Sequence, residues 1–322
     1  MQRSGARVAA ADGTHLNVET LGDARQVVLV PNGTYLVDDL TPLADRRRLV
    51  FHDPRNRGKS DAVAGTGVLQ DVADMRTVAQ HVTDAPVDVI AHSFAGVLAV
   101  LYAKAWPRGV RRMVLLGPLG PDPDRQYPPS LMNRDETFAR VMRELGTLLP
   151  QRAASTPLEF CEKVWSVLGA LYVTNSSDAG RIRWGRCSLE NERNGLRYFQ
   201  EVTLPSVRAL ALTADDLRAT DVAVLVIHGT KDRSAPYGGG RDWAMMLPNA
   251  RLLSIEGGGH APWIEAPAHV LPAIETFLDG EWPAGAERIV SLEGQERPEG
   301  RSGGKRPKAQ AERARSLEPN GR

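Results

Sequence analysis

Short runs of valine, leucine and isoleucine alternate along this chain with stretches whose apolar positions recur every three or four residues. Two short strands are expected at 6–10 and 15–20, joined by Asp12-Gly13, a dipeptide suited to the positive φ of a hairpin turn. The runs "QVVLVP" (26–31), "RRLVFHD" (47–53), "VDVIAH" (87–92) and "RRMVLLGP" (111–118) read as strands buried on both faces. Between them, 38–45 is compatible with a short helix. Val72, Met75, Val78, Ala79 and Val82 repeat at helical spacing, and Ser93–Trp106 continues as a helix directly from a strand.

The pattern then changes. From about 121 to 220 there are few β-branched runs and several amphipathic segments, broken by Pro121, Pro123, Pro128, Pro129, Pro150, Pro157 and Pro205. Alternation returns with "VAVLVIHG" (222–229), a helix near 238–247, "ARLLSIEG" (250–257) and a helix over 266–278. Strands alternating with helices predict a mostly parallel sheet of α/β class with helices on both faces. The expected organisation is a core of residues 1–120 and 221–282, a helical insertion over 121–220, and a tail over 283–322. That tail, rich in Gly, Pro, Arg and Glu with nine Lys/Arg against six Asp/Glu, is expected to be disordered; a partner-binding arm is the other reading.

Composition narrows the function classes. The 322 residues carry a formal net charge of +1, which gives no electrostatic reason to expect nucleic acid or an anionic membrane surface as partner. The N-terminal "MQRSGARVAAADG" has no apolar core of a secretory signal, and no run approaches the length of a membrane span. The two cysteines, Cys161 and Cys187, show no metal-ligand spacing and are expected to be reduced thiols in a cytoplasmic protein. Neither glycine run, 238–240 or 257–259, has the spacing of a dinucleotide loop, so no cofactor and no metal is expected; the partner is a small-molecule substrate.

Open parallel sheets place their sites beyond the carboxyl ends of the strands, and those ends carry chemistry here. Ser93 follows 87–92, Asp232 follows 222–229, His260 follows 250–257, and Asn32-Gly33-Thr34 follows 26–31. A serine hydroxyl needs a base within reach to act as a nucleophile, and a histidine serves when a carboxylate fixes its tautomer. The order Ser…Asp…His is that of a nucleophile on a strand-to-helix elbow. Ala91, Ala95 and Gly96 supply the small neighbours such a sharp turn requires. Asp122 or Asp124, after the strand at 111–118, could supply the carboxylate instead of Asp232.

These segments together resemble the α/β-hydrolase superfamily, in particular its capped serine hydrolases. "AHSFAG" is similar to the nucleophile elbow, with Ala91 where glycine is commonest. "FHDPRNRGKSD" (51–61) resembles the segment after the fourth strand, "HGTKD" (228–232) the acid-bearing turn, and "EGGGHAPWIEAP" (256–267) the histidine loop. The resemblance spans about 5–280 and implies a mostly parallel eight-stranded sheet with a helical cap inserted between the sixth and seventh strands. It also implies an oxyanion hole from the backbone N–H groups of Phe94 and Thr34, the latter in a turn where Asn32-Gly33 replaces the usual His-Gly.

Ser93 at the elbow argues against the haloalkane dehalogenases and epoxide hydrolases of the fold, which use aspartate there. The expected reaction is hydrolysis of a small carboxylic ester through an acyl-enzyme. Alternatives are an aminopeptidase of prolyl iminopeptidase type reading an amine with Glu190 and Glu192, a carbon–carbon bond hydrolase, a biosynthetic lyase or cyclase, and a small-molecule receptor. Trp263, Trp184 and Glu190 are candidate substrate contacts. Trp165, Tyr172, Trp184, Tyr198 and Phe199 are read first as cap packing, Trp263 first as an ordinary core contact, and His52 and Arg55 as structural.

Overall fold

The computed structural model describes residues 2–64 and 66–292. Nine strands among them form one sheet: β1 (Arg3–Ala9), β2 (His15–Leu21), β3 (Val27–Pro31), β4 (Arg48–His52), β5 (Val87–His92), β6 (Val110–Leu116), β7 (Ala223–Gly229), β8 (Ala250–Ile255) and β9 (Ala286–Glu287). Their order is β1-β2-β4-β3-β5-β6-β7-β8-β9. The central strands run parallel, from β4 through β3, β5, β6 and β7 to β8. β1–β2, β2–β4 and β8–β9 are antiparallel, and the β1–β2 hairpin turns at Gly13, whose φ is +85°.

Six longer helices matter here: α1 (Val68–Val82), α2 (Ala95–Ala105), α3 (Glu136–Leu148), α4 (Pro157–Tyr172), α5 (Tyr237–Met246) and α6 (Pro267–Asp279). The two-residue period of the strands sorts their side chains into two cores. Leu29, Val89, Ala91, Met113, Leu115 and Val226 pack with α1, α2 and α5 on one face. Val28, Val30, Ile90, Val114, Leu116 and Ile227 meet α6 and the short helical stretch at 34–45 on the other. Between β6 and β7 the chain forms α3, α4 and a series of short helical turns, with no strand among the described residues of that segment.

Two expectations change. The sheet has a ninth strand, and the chain beyond Trp282 is ordered as far as Leu292. β9 pairs with β8 through Leu252↔Glu287 and Leu253↔Ala286. Arg241 of α5 donates to the Leu292 carbonyl (2.6 Å) and the Ser291 carbonyl (2.9 Å), while Ile289 and Leu292 pack against the core. The pairing uses backbone groups, so a segment of little apolar content can still complete a sheet edge. The rest of the expected tail, 293–322, lies outside the described residues.

A further correction concerns the cysteines. Cys161 of α4 and Cys187 of the turn Arg186–Ser188 form a disulfide, with Cα atoms 5.7 Å apart. Their 26-residue separation carries no motif, and only the folding back of the segment between β6 and β7 brings them together. The free thiols that pointed to a cytoplasmic setting are therefore absent. No helix among the described residues is long and apolar enough to cross a membrane.

Candidate active site

Three adjacent parallel strands leave the sheet through the same unusual backbone conformation. Asn32 after β3, Ser93 after β5 and Gly117 after β6 have φ of +51°, +57° and +47°. Left-handed backbone costs an ordinary L-residue about 1–2 kcal/mol. Asparagine bears it better than most residues, as histidine does, so Asn32 suits this turn. At Ser93 the conformation lifts the side chain out of the strand line. The Ser93 N–H donates to the Leu116 carbonyl (3.0 Å), and its own carbonyl accepts from Gly96 and Leu119. The elbow is thus clamped between β6 and α2. Gly117 has no room for a side chain: a Cβ there would lie 2.9 Å from the His260 carbonyl oxygen and 3.2 Å from its Nδ1.

His260 and Asp232 meet although 28 residues separate them. The His260 Nδ1–H donates to Asp232 Oδ2 at 2.7 Å, with both side chains fully buried. Asp232 Oδ1 accepts from the backbone N–H groups of Ser234 (2.7 Å) and Ala235 (2.8 Å), and Oδ2 also accepts from His228 Nε2 (3.0 Å). Burial alone would raise the Asp232 carboxyl; His260 and His228 beside it instead hold it well below the usual carboxylate range. His228 Nε2 faces the carboxylate and the Ala235 carbonyl, two acceptors, so that nitrogen carries the proton. His260 Nε2 is buried and has no hydrogen-bond partner among the described residues.

A second histidine adjoins the first. His92, directly before Ser93, packs its ring 4.6 Å from that of His260. Its Nε2 faces the His260 carbonyl (3.2 Å) and its Nδ1 the Tyr35 hydroxyl (2.6 Å). A carbonyl can only accept, so Nε2 carries the hydrogen and Tyr35 O–H donates to Nδ1. Burial, with His260 and Arg186 nearby, drives the His92 pKa well down and keeps it neutral. The segment between β6 and β7 covers this group: the Tyr172 ring at the end of α4 meets His260 edge-on at 4.9 Å, and the Ala261 N–H donates to the Tyr172 carbonyl. Glu265 fastens the histidine loop to the segment after α4 by accepting from the N–H groups of Gly259 and Thr174, each at 2.6 Å.

A cavity of about 480 Å³ opens above the elbow, with Ser93, Phe94, Asn32, Tyr35, Arg57 and Arg186 on its wall. Phe94 sits at the N-terminal end of α2, where backbone N–H groups point outward. In the turn after β3, Asn32 and Tyr35 face the cavity, while the Thr34 hydroxyl donates to Asp53. Asp53 also accepts from Asn17 Nδ2 and the Lys59 N–H, each at 3.0 Å. The segment after β4 thereby holds the turn after β3 in place. Arg55 is a structural tether as expected, bound to Asp12 and Asp74.

The candidate substrate contacts are placed elsewhere. Trp263 and Trp184 do not line the cavity; both indole N–H groups donate to Asp39 Oδ2 (3.1 and 3.0 Å) and their rings brace His92 at 4.7 and 6.1 Å. Glu190 is exposed, whereas Glu192 faces the cavity, since positions two apart on a helical turn point in different directions. Asp122 and Asp124 are not near His260: Asp124 pairs with Arg208 at 2.8 Å, and Asp122 accepts from the Asp124 N–H. Sequence reasoning missed His92, Tyr35, Arg57, Arg186 and His228. His92 and His228 adjoin motifs already recognised, which was the available signal; Arg186 could be found only from the cap's fold.

With this geometry in view, the comparisons with known proteins identify the class. The chain belongs to the alpha/beta hydrolase family, whose model matches residues 27–273. It is 27% identical over 265 residues to a non-heme haloperoxidase of Rhodococcus erythropolis, covering 79% of this chain and 92% of that protein. It is 26% identical over 264 residues to the polyketide synthase ThaQ of Burkholderia thailandensis, covering 80% of this chain but only 12% of that much longer protein. Among solved structures, an esterase from Exiguobacterium antarcticum superposes with a TM-score of 0.63 at 20% identity, covering 86% of this chain and all of the esterase; at that identity the likeness concerns the fold.

Proposed function

We propose that this protein is a serine hydrolase that cleaves a small carboxylic ester through an acyl-enzyme on Ser93. The observation that carries the reading is the state of His260: its Nδ1–H is held by a buried, ionised Asp232, and its Nε2 is left without a partner. That arrangement turns Nε2 free toward a substrate-side proton while the carboxylate fixes the ring. Ser93 Oγ attacks the ester carbonyl as Nε2 takes its proton, and the imidazolium is stabilised by Asp232. The N–H of Phe94 and an N–H of the Asn32–Tyr35 turn stabilise the tetrahedral oxyanion, a contribution of about 3 kcal/mol per donor where such donors have been measured. His260 then protonates the departing alkoxide, and a water molecule, deprotonated by the same nitrogen, releases the acid and restores Ser93. No Ser93–His260 hydrogen bond forms in this structure, among the described residues; such contacts commonly tighten when substrate binds.

The aminopeptidase alternative loses its basis here. Glu190 is exposed, and Glu192 is already engaged by the Gly58 N–H (2.9 Å) and Arg186 (3.6 Å). The test is intact mass after exposure to a fluorophosphonate, on wild type and S93A in parallel. One adduct on wild type and none on S93A is expected. An unlabelled, folded wild type that also fails to hydrolyse 4-nitrophenyl esters would overturn the proposal in favour of a receptor or proton-transfer chemistry.

A further inference from the structure

We infer that the acyl group accepted above Ser93 carries a carboxylate of its own, read by Arg57 and Arg186, so that the substrate is a monoester of a short dicarboxylic acid. The inference rests on the serine-hydrolase reading and names the substrate class within it.

The two guanidinium groups come from different parts of the molecule and converge on one cavity. Arg57, in the segment after β4, is 6% exposed; its Nη1 donates to the Gly195 carbonyl (3.0 Å), and its guanidinium lies 5.7 Å from the ring centroid of Phe94, the residue next to Ser93. Arg186, on the disulfide-linked turn of the cap, lies 4.0 Å from the Tyr35 ring and 4.7 Å from that of Trp165. Tyr35 is the residue whose hydroxyl donates to His92, so Arg186 reaches the elbow through Tyr35 while Arg57 reaches it through Phe94.

The charges do not balance. Glu192, 3.6 Å from Arg186, is the one carboxylate on the cavity wall among the described residues. Asp71 of α1 lies within electrostatic reach of Arg57, but burial pushes its pKa up to about 7, so near neutrality it supplies only part of a charge. The Tyr35 and Tyr172 hydroxyls are pushed upward by burial and stay neutral. Burial lowers the Arg57 pKa, as expected for a cation with too little counter-charge. The Arg186 Nε has no hydrogen-bond partner among the described residues.

The buried Arg57 and the half-buried Arg186 against the single carboxylate of Glu192 leave close to one positive charge to be met by a ligand. That matches a monoanion better than a dianionic phosphate, and the planar fork of an arginine fits a carboxylate through paired N–H donors. Arg125 and Arg134 also reach this cavity but are exposed, with Arg125 3.2 Å from Asp242 and Arg134 stacked on Phe138 at 4.1 Å. They attract an anion at the rim, where salt screens them. The volume suits a small acyl group. Hydrolysis of such a monoester consumes one water and yields the dicarboxylic acid and the free alcohol.

The test compares 4-nitrophenyl monoesters of glutaric acid with the pentanoate ester, in which a methyl group replaces the carboxylate. Wild type is expected to show kcat/KM at least tenfold higher for the glutarate monoester at low ionic strength, with the preference falling as sodium chloride is added. R57Q and R186Q should each reduce that ratio about tenfold, R186K should restore part of it, and E192Q should increase it. Thermal melts establish that each variant is folded, and the salt dependence of wild type stands without any variant. An enzyme that hydrolyses both esters with a ratio of one or less overturns this inference and leaves the hydrolase reading intact. A preference unmoved by both arginine substitutions also overturns it. Failure to hydrolyse either ester, with no fluorophosphonate adduct on Ser93, removes the hydrolase reading itself.

Discussion

Asp71 shows at the scale of one residue how the site imposes a cost on the fold. It lies in the first turn of α1, 4% exposed, and its Oδ1 has no hydrogen-bond partner among the described residues. Burial raises its pKa from 3.8 to about 7, with Asp74 adding to the rise and Arg57 opposing it. The folded chain therefore holds this proton to near neutrality, whereas the unfolded chain releases it near the ordinary carboxylate value. The stabilising contribution is complete below about pH 4, declines as pH rises, and is lost above about pH 7. D71N keeps a neutral side chain at every pH. Paired melts at pH 5, 6, 7 and 8 should show D71N gaining on wild type by about 2 kcal/mol across that range and levelling off above neutrality. A constant difference would mean that Asp71 titrates like an exposed carboxylate.

Among the elements, α4 and the turn Arg186–Ser188 determine the shape of the cavity roof, and the Cys161–Cys187 disulfide joins them. Closing a loop of this length removes disorder from the unfolded chain worth about 3 kcal/mol. Thiol titration of the unreduced protein in guanidinium should find no free thiol. C161S/C187S should melt at lower temperature and become open to proteolysis between Tyr172 and Arg186. Two titratable thiols in the unreduced protein would sink the assignment. This pairing also marks where reading the sequence stopped working. The strand ends that carry Ser93, Asp232 and His260 were legible because each follows a strand of strong two-residue or continuous apolar pattern, and parallel strands bring their ends to one edge. The cap offers no such rule. Its short amphipathic helices fix neither the pairing of Cys161 with Cys187 nor which of Glu190 and Glu192 turns inward. Trp184 and Trp263 read first as packing and only second as substrate contacts, and an aromatic near a site can indeed support the site's walls, as both do through Asp39.

In the whole molecule, the parallel strands and the interruption of the sheet by helices were readable from periodicity, but the outer edge of the sheet was not. A two-residue strand has no detectable alternation, and the composition of 283–292 resembles that of a solvated tail. Its contribution depends on what it covers. β9 satisfies backbone groups of β8, and Arg241 reaches from α5 to two carbonyls beyond it. Without this segment, that edge of β8 and the apolar surface beneath Ile289 and Leu292 would be exposed to water. Comparison of two truncations, one ending at Trp282 and one at Leu292, isolates the segment from everything after it. The shorter chain should lose about 2 kcal/mol, seen as a melting temperature about 4–8 °C lower than that of the longer one. Hydrolysis per folded molecule should change little: β9 pairs with β8 at Leu252 and Leu253, whereas His260 beyond the end of β8 is held by Asp232 and its loop by the Tyr172 carbonyl and Glu265. Equal melting temperatures would mean that β8 is a stable edge without its partner, and the ordered end of the fold would then be Trp282.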